Sequence, residues 1–166
     1  MNALSLKKIN EQAPYRVTTD AEAQHLFYFY TDYGVEYEIC IKANDTFIPS
    51  GAFALDIRNK NEQTSPGDIK FKETLIAIVE EFFRQNNDVM LYVTETRDEK
   101  QASRNRLFVR WFNTYRHRDY YVIKTAEGKM DGQMNFMAII LRKDNPRIQQ
   151  AFGEFDETVT FLFDWL

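Results

Sequence analysis

Chemically capable side chains gather in two stretches of this sequence and are sparse elsewhere. Residues 97–118 hold seven Lys and Arg (97, 100, 104, 106, 110, 116 and 118) against Asp98 and Glu99, a local charge of +5 in a chain whose formal net charge is −4. The guanidinium forks among them suit phosphate or carboxylate groups. The second stretch contains Glu36, Glu38 and Cys40. Strand alternation puts both glutamates on one face, the geometry of a carboxylate pair for acid–base work and equally that of an ordinary half-exposed strand. His25 and His117 are the remaining groups that titrate near neutrality. His117, flanked by Arg116 and Arg118, is the better placed for proton transfer, with a solvated loop position as the alternative. His25 and Cys40 read as structural. One cysteine cannot form an intrachain disulfide, and with two histidines it cannot complete a thiolate-rich or His-rich zinc site, so no metal is expected.

Within the basic stretch Arg104 has the sharpest implication. On a helical wheel of about 100° per residue, Lys100 and Arg104 share the sector of Leu107, Phe108, Trp111 and Tyr115, whereas Arg106 and Arg110 point the other way. A cation on an inward stripe beside the end of a central strand is where an α/β site holds a phosphate or carboxylate. The competing reading is that the stems of Lys100 and Arg104 cover apolar surface while their heads reach water. Trp111, Tyr115, Tyr120 and Tyr121 offer the stacking faces that a nucleic-acid groove uses. The helical aromatics nevertheless fall on the inward side, away from Arg106 and Arg110, so nucleic acid is not expected.

The elements that must position these groups are legible from residue 25 onward. Residues 26–31 (LFYFYT) are aromatic and β-favouring, Asp32-Tyr33-Gly34 gives a short hairpin loop, and Val35, Tyr37, Ile39 and Ile41 alternate with Glu36, Glu38 and Lys42 as a second strand. Phe53, Leu55 and Ile57 alternate as a third, which predicts an antiparallel meander. The period then changes. Leu75, Ile76, Val79, Phe82 and Phe83 recur on one helical face, with Gly67 or Asp68 to cap the start and Asn86-Asn87 to end it. Residues 89–93 (VMLYV) form a short apolar run suited to a strand buried on both faces. A second helix is expected over 98–115, then strands over 119–125 and 134–142 joined through Glu127-Gly128 to Gly132. Asn145-Pro146 predicts a helix start with Pro at N1, and Ile148, Phe152, Phe155, Val159, Leu162 and Leu166 carry that helix to the last residue unless Gly153 breaks it. The polar, weakly patterned residues 1–24 are expected as an N-terminal arm with at most a short strand around Tyr15, and 25–166 as a single α+β domain.

Composition narrows the function classes. A chain of 166 residues with 44% hydrophobic and 28% charged residues is a globular protein rather than a disordered or fibrous one. Six glycines and four prolines leave little material for glycine-rich ligand loops, and the aromatic excess (Phe 14, Tyr 9, Trp 2) is expected to fill a core or to offer a Tyr-rich face to a partner. No run approaches the roughly 18 apolar residues of a membrane span and no leader-like apolar region opens the chain, so a soluble, cytoplasmic protein is expected. The C-terminal Phe161-Leu162-Phe163-Asp164-Trp165-Leu166 is apolar on more than one face, so it either packs inward or joins a second copy as a homodimer.

The expected order β-β-β-α-β-α-β-β-α resembles the GNAT acyltransferase fold with its leading helices reduced: α+β, one mixed and mostly antiparallel sheet covered by helices. The likeness spans about residues 25–142 and has a local component. In that family the helix after the central strand reads as an Asn, an Ala, then Leu-Tyr-x-Lys-x-Gly-Phe, and Arg106-Leu107-Phe108-Val109-Arg110-Trp111-Phe112 is similar to it. The chain also has the general look of an uncharacterised bacterial family. The GNAT resemblance implies coenzyme A or acetyl-CoA as cofactor, with Gly67, Lys100 and Arg104 as the residues here that would hold it. Two departures accompany it. The family's general-acid tyrosine falls on Phe108, which has no proton to give, leaving Tyr92 or Tyr115 as substitutes. Its Gln/Arg-x-x-Gly-x-Gly/Ala phosphate loop falls on Gln63-Thr64-Ser65-Pro66-Gly67-Asp68, where one glycine survives, Pro66 removes a donor and Asp68 adds negative charge. Two function classes follow: a divergent acyltransferase-like domain binding coenzyme A or another anion, and a non-catalytic binding or assembly module that kept the scaffold and lost the chemistry.

Overall fold

In the computed structural model the described residues are 1–96 and 99–163, with 95, 96 and 99–104 described by their backbone only. The elements, in chain order, are α1 (Leu6–Gln12), β1 (Thr18–Asp20), β2 (Ala23–Tyr30), β3 (Glu36–Asn44), β4 (Ala52–Asn59), α2 (Ile69–Gln85), β5 (Met90–Thr96), α3 (Glu99–Thr114), a 3-10 turn (Arg118–Tyr120), β6 (Tyr121–Met130), β7 (Gln133–Arg142) and α4 (Ile148–Leu162). Seven strands form one mixed sheet in the order β1-β2-β3-β4-β5-β7-β6. The pairs β1/β2, β2/β3, β5/β7 and β6/β7 are antiparallel, and β4/β5 is parallel. The expected α+β class with a mixed, mostly antiparallel sheet is therefore what forms. By contact the chain divides into two compact units, one of Met1–Lys42 with Leu55–Asn87 and one of Ala43–Ala54 with the chain from Asp88 onward.

The first unit is built on aromatic packing beneath α2. Phe71 lies 4.5 Å from Tyr37 and 5.9 Å from Phe29 between ring centroids, and Tyr15 stacks on Phe29 at 6.0 Å, so much of the aromatic excess is core. The α2 stripe buries Thr74, Leu75, Ala77, Ile78, Glu81, Phe82 and Phe83. Its axis is turned from the expected face: Ile78 is central, while Ile76 and Val79 are half-buried. Asp68 caps the start and Asn86 ends the helix, as the sequence predicts. Residues 1–24, expected as an arm, carry α1 and β1 and bury Ile9, Tyr15 and Val17. A seven-residue helix has too few internal hydrogen bonds to stand alone. Buried Glu81 supports it from α2, accepting the Ser5 backbone N–H at 2.9 Å while Ser5 itself caps α1, and pairing with Arg84 on its own helix.

In the second unit α3 and α4 take opposite faces of β5, β7 and β6. Met137, Ile139 and Leu141 cluster with Ala151, Phe155 and Val159 of α4, while Phe136, one residue out of phase, meets Phe108 of α3. The run at 89–93 supplies Met90 and Leu91 as fully buried residues of an interior strand, with Val89 buried just ahead of it. Three expectations shift here. The strand expected over 119–125 starts at Tyr121, after the 3-10 turn, and continues to Met130, because the hairpin turns at Asp131-Gly132, both with positive φ (52° and 77°), rather than at Glu127-Gly128. Gly128 lies inside that strand beneath Phe163: a Cβ there would come within 2.4 Å of the ring. Helix α4 begins two residues after Pro146, with Asn145 Oδ1 accepting the Arg147 N–H at 2.8 Å, runs unbroken through exposed Gly153 and stops at Leu162. Its start is held by Arg147, which donates to the carbonyls of Ser50 and Gly51 at 2.7 and 2.9 Å, and by Ser50, whose hydroxyl reaches Glu154 at 2.6 Å.

Candidate functional site

Three groupings carry chemistry, and the first is the start of α2. Asp68 closes that helix by accepting the Lys70 backbone N–H at 3.0 Å, and its second oxygen takes the Tyr15 hydroxyl proton at 2.7 Å. The Tyr15 oxygen in turn accepts the Asp32 N–H at 3.2 Å, and Lys70 Nζ reaches the Asp32 carboxylate at 2.7 Å. Burial, together with the two neighbouring carboxylates, pushes the Tyr15 phenol up to about 12, while the Asp32 hydrogen bond and charge raise Lys70 above its ordinary value. Gly67, expected to help hold a cofactor, sits exposed just ahead of this network in an ordinary backbone conformation. The helix end that would cradle a pyrophosphate carries a carboxylate already bonded to it.

The second grouping lies on β2, β3 and β4. Register places Tyr28 opposite Glu38 and Leu26 opposite Cys40. Glu38 is only 7% exposed, and its oxygens stand 3.8 Å from Arg58 and 3.6 Å from Lys60. Of the two glutamates that share a strand face, Glu38 is thus one carboxylate balanced by two cations rather than half of a carboxylate pair. Burial raises Cys40, with Asp56 and Glu38 adding to it, and burial followed by Glu38 raises Tyr28. Near neutrality the thiol and the phenol both keep their protons, so the grouping offers neither a thiolate nor a phenolate nucleophile.

The third grouping is α3 with the turn behind it. Leu107, Phe108, Trp111 and Phe112 of the expected stripe are half-buried, as is Val109, and Asn105, off that stripe, is fully buried, while Arg106 and Arg110 are exposed. The Phe108 ring stacks on Tyr92 at 4.8 Å and 16°, and both meet Phe136 edge-on at 6.1 Å. Tyr115, His117 and Tyr120 make a second aromatic step, with successive centroids 5.5 and 5.8 Å apart, in a segment whose Arg116 and Arg118 are exposed. Tyr120 is 68% exposed. Lys100 and Arg104, the cations expected to face a ligand, fall on α3, and their side chains lie outside the described residues. Gly67 belongs to the first unit and α3 to the second.

The family of unknown function DUF6169 matches residues 67–157, more than half of the chain. The chain belongs to this family. The match begins just ahead of α2 and runs into α4, so it takes in α3 and its basic side. No curated protein and no solved structure matches the chain. The α+β class and the element order are compatible with the GNAT resemblance, while the family that matches is DUF6169. Among the described residues of this DUF6169 chain, no three His, Cys, Asp or Glu come together to hold a metal ion, and no helix is long and apolar enough to cross a membrane.

Sequence reasoning missed the Tyr15–Asp68 bond and the buried Glu81. Asp68 was readable as a cap, but its partner lies 53 residues away in a stretch without pattern. For Glu81 a signal existed: it sits one turn before Arg84 and one residue before the Phe82-Phe83 pair, on the side that α2 buries. The apolar C-terminal run divides, Phe163 being 3% and Phe161 88% exposed, and Asp164, Trp165 and Leu166 lie outside the described residues.

Proposed function

We propose that the protein is a non-catalytic binding module which has kept an acyltransferase-like order of elements and engages an anionic partner through the outward side of α3 and the turn that follows. The observation that carries this reading is the closed start of α2. A transferase of the resembled kind would offer free backbone N–H groups and the positive helix end to the pyrophosphate of coenzyme A. Here Asp68 takes the Lys70 N–H while Asp32 is paired with the Lys70 ammonium, so an incoming pyrophosphate would meet the Asp68 carboxylate where free donors are needed. Phe108 at the general-acid position, held in a ring stack with Tyr92, points the same way. Support for an anionic partner comes from Arg106, Arg110, Arg116 and Arg118, all exposed, and from the exposed ring of Tyr120 in the turn after α3.

The test is a titration with inorganic polyphosphate, followed by calorimetry at low and at physiological ionic strength. Binding that weakens with salt and is lost in Arg110→Glu/Arg116→Glu supports the reading. Binding that is unchanged in that variant, or tight binding of acetyl-CoA with none of polyphosphate, overturns it.

A further inference from the structure

The outer edge of β6 is the surface with the most specific geometry. β6 ends the strand order, so one side of its backbone pairs with β7 and the other has no strand partner among the described residues. It is long for an edge, ten residues, and pairs with β7 residue for residue from Tyr121↔Arg142 to Met130↔Gln133. It has no proline, no bulge and no shortness to blunt it, and carries charged side chains instead. Its charges are Lys124, Glu127 and Lys129, of which Lys124 is engaged with Asp156 on α4 at 2.6 Å. Glu127 and Lys129 share the other face of the strand, are exposed, and have no ion-pair partner among the described residues.

We propose that the β6 edge pairs with β6 of a second copy of this chain, antiparallel about a two-fold axis at Gly128. A two-fold axis perpendicular to the sheet keeps like faces together, so residues opposite one another across the new pair must share parity. Centring on Glu127, Lys129 or Lys124 sets like charges against each other. Centring on Thr125 or Ala126 puts Glu127 opposite Ile123 or Thr125. Only Gly128, among the residues of β6, places Glu127 opposite Lys129 of the second copy, and by symmetry does so twice. Glycine at the axis adds no side chain there, and on the α4 side each Gly128 is roofed by Phe163 of its own chain, so the faces that meet are apolar on one side and charge-matched on the other.

The experiment is the oligomeric state of the full chain by sedimentation over a concentration series, with Lys129→Glu and with Glu127→Lys/Lys129→Glu. Both positions are exposed, so an unchanged thermal midpoint at high dilution confirms that each variant folds. The wild type is expected to dimerise, Lys129→Glu to raise the dissociation constant about tenfold or more by turning two attractive pairs repulsive, and the double exchange to restore it. Amide exchange in β6, and not in β5, should quicken on dilution through the transition. A wild type that is monomeric at every concentration overturns the proposal, as does a dimer that Lys129→Glu leaves intact or that the double exchange fails to restore.

Discussion

Tyr15 and Asp68 join the N-terminal stretch to α2 through one short hydrogen bond, and its protonation state has a readable consequence. The phenol ordinarily ionises near 10.0 and here is pushed up to about 12. Between those values the unfolded chain gives up the proton and the folded chain retains it, so the contribution of Tyr15 is complete below pH 10, falls as pH climbs, and is gone above pH 12. Denaturant unfolding across that window should show a steeper loss of stability in the wild type than in Tyr15→Phe, and equal slopes would contradict the buried bond. Asp68→Ala should lower stability by about 1–2 kcal/mol, since it removes a helix cap and leaves the Tyr15 hydroxyl without its acceptor. The cap half of this arrangement was legible, because Asp before an amphipathic run at Ile69 is a local signal. The hydroxyl half was not, because nothing within a few residues of Tyr15 announces a partner so far along the chain.

At the scale of elements, α2 and the α4 core stripe were readable because their apolar faces repeat over four or more turns, and β3 because its alternation is strict from Val35 to Ile41. α1 escaped because its stability is tertiary: the Glu81 carboxylate holds the Ser5 N–H from another helix. Glu81→Ala should therefore speed amide exchange in α1 ahead of α2 and cost about 2 kcal/mol, while Glu81→Gln, which keeps an acceptor, should retain most of the protection. The β6–β7 hairpin was misplaced because two candidate turn signals stand within a few residues. The one at Glu127-Gly128 lost because its glycine is needed for close approach, not for a turn. Gly128→Ala would drive a methyl into Phe163, with contacts of 2.4–2.6 Å before relaxation, and should destabilise by about 1–3 kcal/mol. Combined with Phe163→Leu it should cost less than the sum of the two single changes, and strict additivity would show that the two residues do not meet.

For the whole molecule, the proposed function rests on the uneven charge more than on any motif. The described part of the cationic segment, 99–118, holds α3 and the start of the following turn, with Arg106, Arg110, Arg116 and Arg118 exposed, while the acidic remainder includes the Asp32 and Asp68 carboxylates at the start of α2. Element order was legible enough to suggest an acyltransferase-like scaffold. The site was not, because a phosphate cradle depends on which backbone donors stay unoccupied, and that is decided by side chains such as Asp68 and Tyr15 arriving from different parts of the chain. Thermal unfolding titrated with coenzyme A, acetyl-CoA and a phosphate control, on the wild type and on Arg104→Ala, tests the central claim most directly. A ligand at about a hundred times its dissociation constant adds roughly 2.7 kcal/mol, which for a chain of this size is a rise of several degrees. With the start of α2 closed by its own carboxylate, no rise is expected at millimolar coenzyme A. A rise of several degrees that Arg104→Ala abolishes would contradict the binding-module reading and return the protein to the cofactor-dependent class.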